Sequence, residues 1–369
     1  MLIVACVSGH GYGHGSRVAA VLSALHALQP SWRLVLSTPL PRPFLELAFG
    51  PVPFEHRPCR WDVGVIQADA LGADGPATLT ALEQLALDLP AQLEREAAWI
   101  SAQGEPVLLL GDVPPAAAAL AARLQVPLVW MGNFGWDAIY RPMGGAFVAL
   151  ADQALAAYRS GTAQIRCPLA LPMPWDLPST SVGLTAGRPR HSPEALRQQL
   201  GLAAPPERTV MVAFGGLGMP LDPELLARWP QHHFLVSDAR LAAAANATRI
   251  PADLRPLELL QLCGRVITKP GYSTFCEALA LGVGIVLVRR EGFAEAPVLE
   301  ADLQRYGHHR LLTREQLDRG DWQLDQPLLP PSDPPLARDG SQQAAAVLQR
   351  LAAEARLPLS CCTQIVVSS

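Results

Sequence analysis

The sequence lacks most of the features that mark metal-binding, nucleic-acid-binding or membrane-spanning proteins. Its seven cysteines form no C-x-x-C pair and no cluster with histidine, so we expect no metal site. With a net charge of −4, the chain has no basic field that would hold nucleic acid. No apolar run approaches the length needed to cross a membrane, which leaves only peripheral membrane contact open.

Charged residues are also scarce, at 17% of the chain, while half of the residues are hydrophobic. This composition is typical of an ordered globular protein, and 369 residues are enough for two domains. The odd number of cysteines in apolar contexts indicates buried thiols and a reducing cytoplasm. The start MLIVACVSG has no cationic segment, so it predicts a core strand and not a signal peptide.

The first glycine-rich loop lacks the fingerprint of a dinucleotide-binding site. A strand at 2–7 is followed by SGHGYGHGSR and a helix predicted over 16–28, which is a Rossmann-type opening. However, His14 stands where the third glycine of G-x-G-x-x-G belongs, and the strand at 33–37 ends without an acidic residue. What remains is a loop that carries His10 and His14 beside a helix N-terminus. A histidine there can act as a general base or bond an oxyanion, or it can merely bond the backbone of a tight loop.

Residues 264–290, GRVITKPGYSTFCEALALGVGIVLVRR, predict a strand, a glycine turn, a helix and a second strand in immediate succession. The unpaired amides at the start of that helix would face a bound phosphate. Glu277 lies one turn into the helix, where it could reach a ribose. Alternatively, Thr274 and Glu277 form a T-x-x-E capping box that serves only the helix.

Basic residues flank this predicted phosphate cradle. Arg289 and Arg290 follow the second strand, at the sheet edge where ligands of open α/β sheets bind. Guanidinium groups match phosphate oxygens in geometry and charge. These arginines and Lys269 have a plainer interpretation as solvated charges at the rim of the fold.

The strand and helix signals predict an α/β chain with two facing Rossmann-like domains, parallel sheets and an interdomain cleft. The first domain is predicted over 1–167 and the second over 192–338, each opening with a strand and a glycine turn. Between them, residues 168–191 contain five prolines and predict a linker. An amphipathic helix within 339–357 could pack back on the first domain, and 358–369 form a tail.

Two acidic residues follow buried strands of the first domain. Asp112 comes after the strand at 106–110 and Asp137 after the strand at 127–131, so both should lie at carboxyl strand ends near the cleft. With His14, they are the candidate general bases. A carboxylate could instead orient His14 or cap the helix that follows it. The chain contains no D-x-D motif of the kind that holds a metal and a diphosphate.

Six motifs in order resemble a known family. They are WDVGVIQADAL (61–71), LLGDVPP (109–115), GNFGWDAIY (132–140), FGGLG (214–218), KPGYSTFCEAL (269–279) and VRREGFAEAPVL (288–299). These motifs resemble the glycosyltransferase-like N-terminal half of plant L-arabinokinases, over residue 1 to about 350. The architecture also resembles the GT-B glycosyltransferases and, more distantly, the bacterial N-acetylglucosaminyltransferases that complete the peptidoglycan lipid precursor.

The resemblance implies a metal-independent, inverting glycosyltransferase without a cofactor. A UDP-sugar is the expected donor, and the acceptor is an unidentified small or lipid-linked molecule. His14 is the implied base, with Asp112 and Asp137 as alternatives. On the donor side the resemblance and the cradle select Gly215, Gly216, Lys269, Gly271, Tyr272, Ser273, Thr274, Glu277, Arg289, Arg290 and Glu295. On the acceptor side they select Gly9, His10, Gly11, Gly13, Arg17, Gln67, Asp69, Asn133 and Trp136.

The sequence leaves two other functions open. Sugar-nucleotide 2-epimerases share this fold, but they need several acid and base carboxylates near the sugar. A non-catalytic sensor of sugar nucleotides is the second alternative, because the glycosyltransferase-like half of arabinokinases is joined to a kinase.

Overall fold

A computed structural model describes residues 1–66, 74–215, 221–290 and 292–354. Within these residues the chain forms two lobes, each built on one parallel β-sheet with helices packed on its faces. The predicted α/β architecture with two parallel sheets is therefore confirmed.

The sheet of the first lobe has seven strands. They are β1 (Leu2–Val7), β2 (Arg33–Ser37), β3 (Glu55–Arg57), β4 (Val107–Asp112), β5 (Leu128–Gly132), β6 (Ala163–Arg166) and β7 (Ser179–Ser181), in the order β3-β2-β1-β4-β5-β6-β7. Every residue of β1 is buried, as expected for a strand covered on both faces. The strand order reverses between β1 and β4, where Val7 pairs with Asp112. Such a switch point is where open α/β sheets bind ligands.

The described residues of the first lobe form six α-helices. They are α1 (Tyr12–Leu28), α2 (Arg42–Phe49), α3 (Gly75–Ser101), α4 (Ala117–Leu124), α5 (Trp136–Tyr140) and α6 (Phe147–Arg159). Helix α1 begins four residues earlier than predicted, so that Gly13, His14 and Gly15 lie within its first turn. A Cβ atom on Gly15 would lie 2.5 Å from the Phe44 ring. The glycine therefore serves close helix packing, which its sequence context alone did not indicate.

The second lobe has a six-stranded sheet. Its strands are β8 (Thr209–Ala213), β9 (His233–Val236), β10 (Ala247–Arg249), β11 (Arg265–Thr268), β12 (Gly284–Val288) and β13 (His309–Leu312), in the order β10-β9-β8-β11-β12-β13. The helices are α7 (Pro193–Gln199), α8 (Glu224–Ala227), α9 (Pro256–Leu260), α10 (Tyr272–Leu281), α11 (Ala296–Tyr306), α12 (Arg314–Asp318) and α13 (Gly340–Glu354). The predicted succession of strand, turn, helix and strand over 264–290 is present as β11, α10 and β12.

The proline-rich segment 168–191 is not a free linker along its whole length. Residues 179–181 form β7, which pairs with β6 at the edge of the first sheet. The sequence contains no apolar run at this place because the three β7 residues are exposed. The first lobe therefore extends past the predicted boundary at residue 167.

Helix α13 returns to the first lobe and packs along α1. Its first turn is anchored to the segment between the lobes, where Ser341 Oγ donates to the Ala186 carbonyl at 3.0 Å. One apolar cluster joins Val18 and Leu22 of α1, Phe275 of α10 and Leu348 of α13. Because this cluster includes residues of both lobes, separating the lobes would expose apolar surface.

Candidate functional site

A cleft of about 1620 Å³ lies between the lobes, at the carboxyl ends of both sheets. Many of the residues selected from the sequence line it. From the first lobe these are Gly9, His10, Gly11, Gly13, His14, Arg17 and Asn133, and from the second Gly215, Lys269, Gly271, Tyr272, Ser273, Thr274, Glu277, Arg290 and Glu295. The volume exceeds that of an ordinary ligand pocket and would hold two substrates.

A histidine and a buried carboxylate form a pair at the first-lobe wall of this cleft. His14 Nδ1 lies 2.7 Å from Asp112 Oδ1, although the two residues are 98 positions apart. Asp112 ends β4 and His14 lies in the first turn of α1, so the adjacent strands β1 and β4 bring them together. Asp112 is completely buried and does not line the cleft, whereas His14 does. Only the imidazole can therefore meet a ligand directly.

Arg17 completes this cluster from the next turn of α1. Its guanidinium donates two hydrogen bonds to Asp112, from Nη2 to Oδ1 at 2.6 Å and from Nε to Oδ2 at 2.9 Å. Burial opposes the charged form of Asp112, but the Arg17 charge and the His14 contact outweigh it and hold the carboxyl pKa below its usual range. An ionised carboxylate can only accept hydrogen bonds, so His14 Nδ1 carries the proton. Nε2 is then the acceptor left for a ligand.

The cluster continues into the second lobe through an amide. Asn133 Oδ1 accepts a hydrogen bond from Arg17 Nη1 at 2.8 Å, and its Nδ2 donates to Glu295 Oε1 at 2.7 Å. Burial raises the pKa of Glu295, and the Asn133 hydrogen bond opposes that rise. The Arg17 guanidinium also lies 4.9 Å from the centre of the Tyr272 ring. Buried contacts therefore join the His14 cluster to both α10 and the segment before α11.

The second-lobe wall presents a helix N-terminus and two cations. Helix α10 begins at Tyr272 with Gly271 as its N-cap, and no side chain caps its amides. Lys269 and Arg290 follow β11 and β12, and both line the cleft beside it. Burial and the neighbouring Arg290 charge lower the pKa of Lys269. Unpaired amides and two cations at one place are suited to hold a diphosphate.

Glu277 does not form the capping box that the sequence allows. The helix starts at Tyr272, so Thr274 is the third helical residue and not the N-cap. The Glu277 side chain lines the cleft instead, half-buried beside Arg255. Burial raises its pKa to about 7, and the Arg255 charge opposes the rise. A carboxylate at this depth lacks the solvation of a surface group and can gain hydrogen bonds from a ligand.

Besides Asp112, three selected residues within the described part of the chain do not line the cleft. Asp137 is buried in α5 and does not line it, and its pKa is raised by that burial. Trp136 is fully buried behind His10, with the ring centres 5.2 Å apart, so it does not present a face to an acceptor. Arg289 turns to the surface and pairs with Glu300 at 2.9 Å. Arg289 and Arg290 differ because consecutive residues of an extended chain point to opposite sides, and only Arg290 points into the cleft.

Gln67, Asp69 and Gly216 lie outside the described residues, and their assignments stay predictions.

Asp62 is a cleft residue that the sequence reasoning did not select. Its Oδ2 accepts a hydrogen bond from Trp136 Nε1 at 2.8 Å, and burial raises the pKa of its carboxyl. It lies in the irregular segment after β3, at the same sheet edge as Asp112. Its position in the first quoted motif was the available signal, but no strand was predicted to end immediately before it.

The described part of the chain contains no helix that is long and apolar enough to span a bilayer. The same residues contain no group of three or more histidine, cysteine, aspartate or glutamate side chains placed to hold a metal ion.

The sequence was compared with known proteins. No protein-family model matches it. L-arabinokinase of Arabidopsis thaliana is 28% identical over 331 residues, which are 86% of this chain and 31% of that protein. The chain thus spans about a third of the length of this curated relative. The similarity confirms the resemblance to L-arabinokinase that the six motifs indicated.

Solved structures confirm the fold. UGT89C1 of Arabidopsis thaliana in complex with UDP-L-rhamnose is similar with a TM-score of 0.62 and 14% identity, over 96% of this chain and 99% of that one. A UDP-glucosyltransferase from Polygonum tinctorium capable of glucosylating indoxyl has a TM-score of 0.60 and 16% identity, over 96% and 93% of the two chains. The chain therefore has the predicted GT-B fold.

Proposed function

We propose that this protein is a glycosyltransferase that moves a sugar from a UDP-sugar to an acceptor hydroxyl. One observation carries the proposal: the imidazole of His14, held by a buried carboxylate, faces the amides and cations of the α10 region within one cleft. This arrangement supplies a base for the acceptor and a positive environment for the leaving diphosphate.

The first lobe provides the base. Asp112 holds the proton on His14 Nδ1, so Nε2 can take the proton of an acceptor hydroxyl as that oxygen attacks the anomeric carbon. Asp112 acts as a positioning residue, because it contacts His14 and no ligand. A base on one side of the sugar and a diphosphate site on the other favour a single in-line displacement, which inverts the anomeric configuration.

The second lobe receives the leaving group. Lys269, Arg290 and the first amides of α10 would stabilise the diphosphate as the bond to the anomeric carbon breaks. These groups can perform the task without a metal ion. Glu277, one turn into α10, would bind the ribose hydroxyls, and Glu295 would bind the sugar hydroxyls.

The choice of donor rests on similarity and chemistry together. The structural neighbours named above include a complex with UDP-L-rhamnose and a UDP-glucosyltransferase, which makes UDP-sugars the first donors to test. The acceptor, whether a small molecule or a lipid-linked one, is not defined by the similarity. We also propose a cytoplasmic location, since Cys6, Cys59, Cys167, Cys263 and Cys276 are buried free thiols.

The test is incubation of the protein with a panel of nucleotide sugars that carry tritium in the sugar. Release of free UDP with label in a new product supports transfer. An altered sugar still attached to UDP would instead identify an epimerase, and tight binding without turnover would identify a sensor. Either of these results contradicts the proposal.

The same assay tests the assigned base. His14→Ala should lower turnover about 10²-fold or more, the usual effect of removing a general base. Its UDP affinity should change little, because other groups than His14 are assigned to the diphosphate. His308→Ala, which removes an exposed imidazole beside β13, is the matched control and should keep full activity. Unchanged turnover in His14→Ala would show that another group is the base.

A further inference from the structure

A second imidazole, that of His10, lies in the glycine-rich loop and is held in place by several contacts. The Val65 amide donates a hydrogen bond to His10 Nδ1 at 3.3 Å. The edge of the Trp136 ring supports the imidazole, with ring centres 5.2 Å apart and an interplanar angle of 88°. These contacts fix both the position and the rotation of a side chain that lines the cleft.

The segment from Asp62 to Val65 is shaped around this ring. Gly64 has a φ of +73°, and a Cβ atom at this position would lie 2.3 Å from His10 Nδ1. Both the backbone conformation and the space therefore require glycine. Tyr140 donates its hydroxyl to the Gly64 carbonyl at 3.0 Å, and Asp62 binds the Trp136 indole. Buried polar contacts thus stabilise the surroundings of one half-buried histidine.

The Val65 contact determines how His10 can bond a ligand. Because Nδ1 accepts a backbone hydrogen bond, the proton of the neutral ring is on Nε2. Burial lowers the pKa of His10 to about 3, and the charges of His14, Arg290 and Lys269 act in the same direction. Nε2–H is then the group of the ring that can bond a ligand in the cleft. His10 is therefore a fixed neutral donor, whereas His14 presents an acceptor.

The neighbours of His10 place it beside the diphosphate side of the cleft. Its ring stacks at 6.5 Å on Phe293 of the second lobe, and the Arg290 guanidinium lies 4.3 Å from the same Phe293 ring. His14, Arg290 and Lys269 are close enough to His10 to act on its charge. A UDP-sugar held by these cations would therefore place the phosphate attached to its anomeric carbon near His10.

We propose that His10 donates a hydrogen bond from Nε2–H to the sugar-bearing phosphate of the nucleotide sugar, and so binds the leaving group from the first lobe. This inference rests on the proposed function and moves His10 from the acceptor side to the donor side. In the transfer step the acceptor oxygen bonds to the anomeric carbon and its proton passes to His14 Nε2. The bond from that carbon to the phosphate oxygen breaks, and its electron pair stays on the oxygen. His10 stabilises this charge and keeps its own proton.

Calorimetric titration of the full chain with UDP and with UMP tests the assignment, because UMP lacks the second phosphate. His10→Phe keeps a flat ring and removes the donor, so it should bind UDP about 10-fold more weakly, as expected for a lost hydrogen bond to a charged group. Its affinity for UMP should stay within about twofold of the wild type. His10→Gln, which offers an amide N–H near the Nε2 position, should recover most of the UDP affinity.

The outcomes separate this inference from the proposed function. If the wild type binds neither UDP nor a UDP-sugar, the proposed function itself is wrong. If the wild type binds UDP and His10→Phe binds it equally well, the His10 assignment is wrong and the proposed function stands. An equal loss of affinity for UDP and for UMP in His10→Phe would also overturn the assignment. If His10→Phe melts early, His10→Ala gives the same comparison without added bulk.

Discussion

At the scale of single residues, one buried carboxylate contacts both the proposed base and a buried cation. Asp112 accepts hydrogen bonds from His14 and from the guanidinium of Arg17, and both Asp112 and Arg17 are almost completely buried. The carboxylate therefore orients His14, the proposed base, and also neutralises a buried cation. Removing its charge should affect both functions.

Asp112→Asn should lower turnover and also destabilise the fold. The substitution keeps the shape but leaves the Arg17 guanidinium buried without its counter-charge, a loss of about 3–5 kcal/mol in comparable cases. Chemical denaturation measures the stability, and turnover is compared at a temperature where both proteins are folded. Asp152→Asn is the control, since Asp152 forms an exposed pair with Arg141 and should cost less than about 1 kcal/mol. Equal stability of Asp112→Asn and wild type would contradict the buried-pair interpretation.

Glu277→Gln should weaken UDP binding by roughly 1–3 kcal/mol, because the ribose hydroxyls lose a charged acceptor. Calorimetric titration measures this change. Glu83→Gln, an exposed substitution on α3, is the control and should bind UDP like the wild type. Unchanged UDP affinity in Glu277→Gln would remove Glu277 from the donor site.

The difference in stability between Glu277→Gln and the wild type should depend on pH. Burial raises the pKa of Glu277 from 4.5 to about 7, so the folded state favours the neutral carboxyl. Ionisation of this group in the unfolded chain then reduces stability as the pH rises from about 4.5 to about 7. Glu277→Gln cannot ionise, so its melting temperature relative to wild type should be higher at pH 8 than at pH 5. The opposite trend would indicate that the charged form is stabilised in the fold.

At the scale of elements, the first turn of α1 organises the site. His14 and Arg17 are three residues apart, which places them on one face of the helix toward Asp112. On another side of the turn, Ser273 Oγ of α10 donates to the Gly13 carbonyl at 2.8 Å. A Cβ atom on Gly13 would lie 2.8 Å from Ser273 Oγ. The absence of a side chain at Gly13 thus allows the two helices to meet.

Gly13→Ala should therefore have opposite effects in two backgrounds. In the wild type the added methyl displaces the Ser273 hydroxyl, which should cost more stability than the gain in helix propensity supplies. In Ser273→Ala the obstacle is gone, and Gly13→Ala should stabilise the protein by about 0.5–1 kcal/mol. Denaturation of the four proteins yields the interaction energy, which should be about 1 kcal/mol or more. Strict additivity would show that Gly13 and Ser273 do not restrict each other.

At the scale of the whole molecule, the lobes are joined by several contacts that cross the cleft. Asn133 bonds Glu295, and Ser273 bonds Gly13. At the far end, Arg190 donates to the carbonyls at the end of α2. Together with the continuous apolar cluster, these contacts hold the two lobes against each other.

Small-angle scattering tests whether these contacts keep the lobes together when no nucleotide is bound. The radius of gyration of the wild type should be the same with and without saturating UDP. In the double variant Asn133→Ala and Ser273→Ala, two of the bridging hydrogen bonds are lost, so the unliganded protein should be larger and should contract when UDP binds. A wild type that contracts on binding UDP would show that the lobes open in the absence of ligand, with the segment 168–191 as the natural hinge.

The sequence by itself determined the fold and the edge of each sheet at which the site lies. Buried strands and glycine turns are local signals, so β1, β4, β11 and β12 could be predicted, and with them the positions of His14, Asp112 and Lys269. Tertiary structure alone decided which groups lie together. The contact of His14 with Asp112, the absence of a capping role for Glu277, and the hydrogen bond from Val65 to His10 all depend on packing in the folded chain. Such contacts follow from the direction of side chains in the folded protein, which no local pattern of residues specifies.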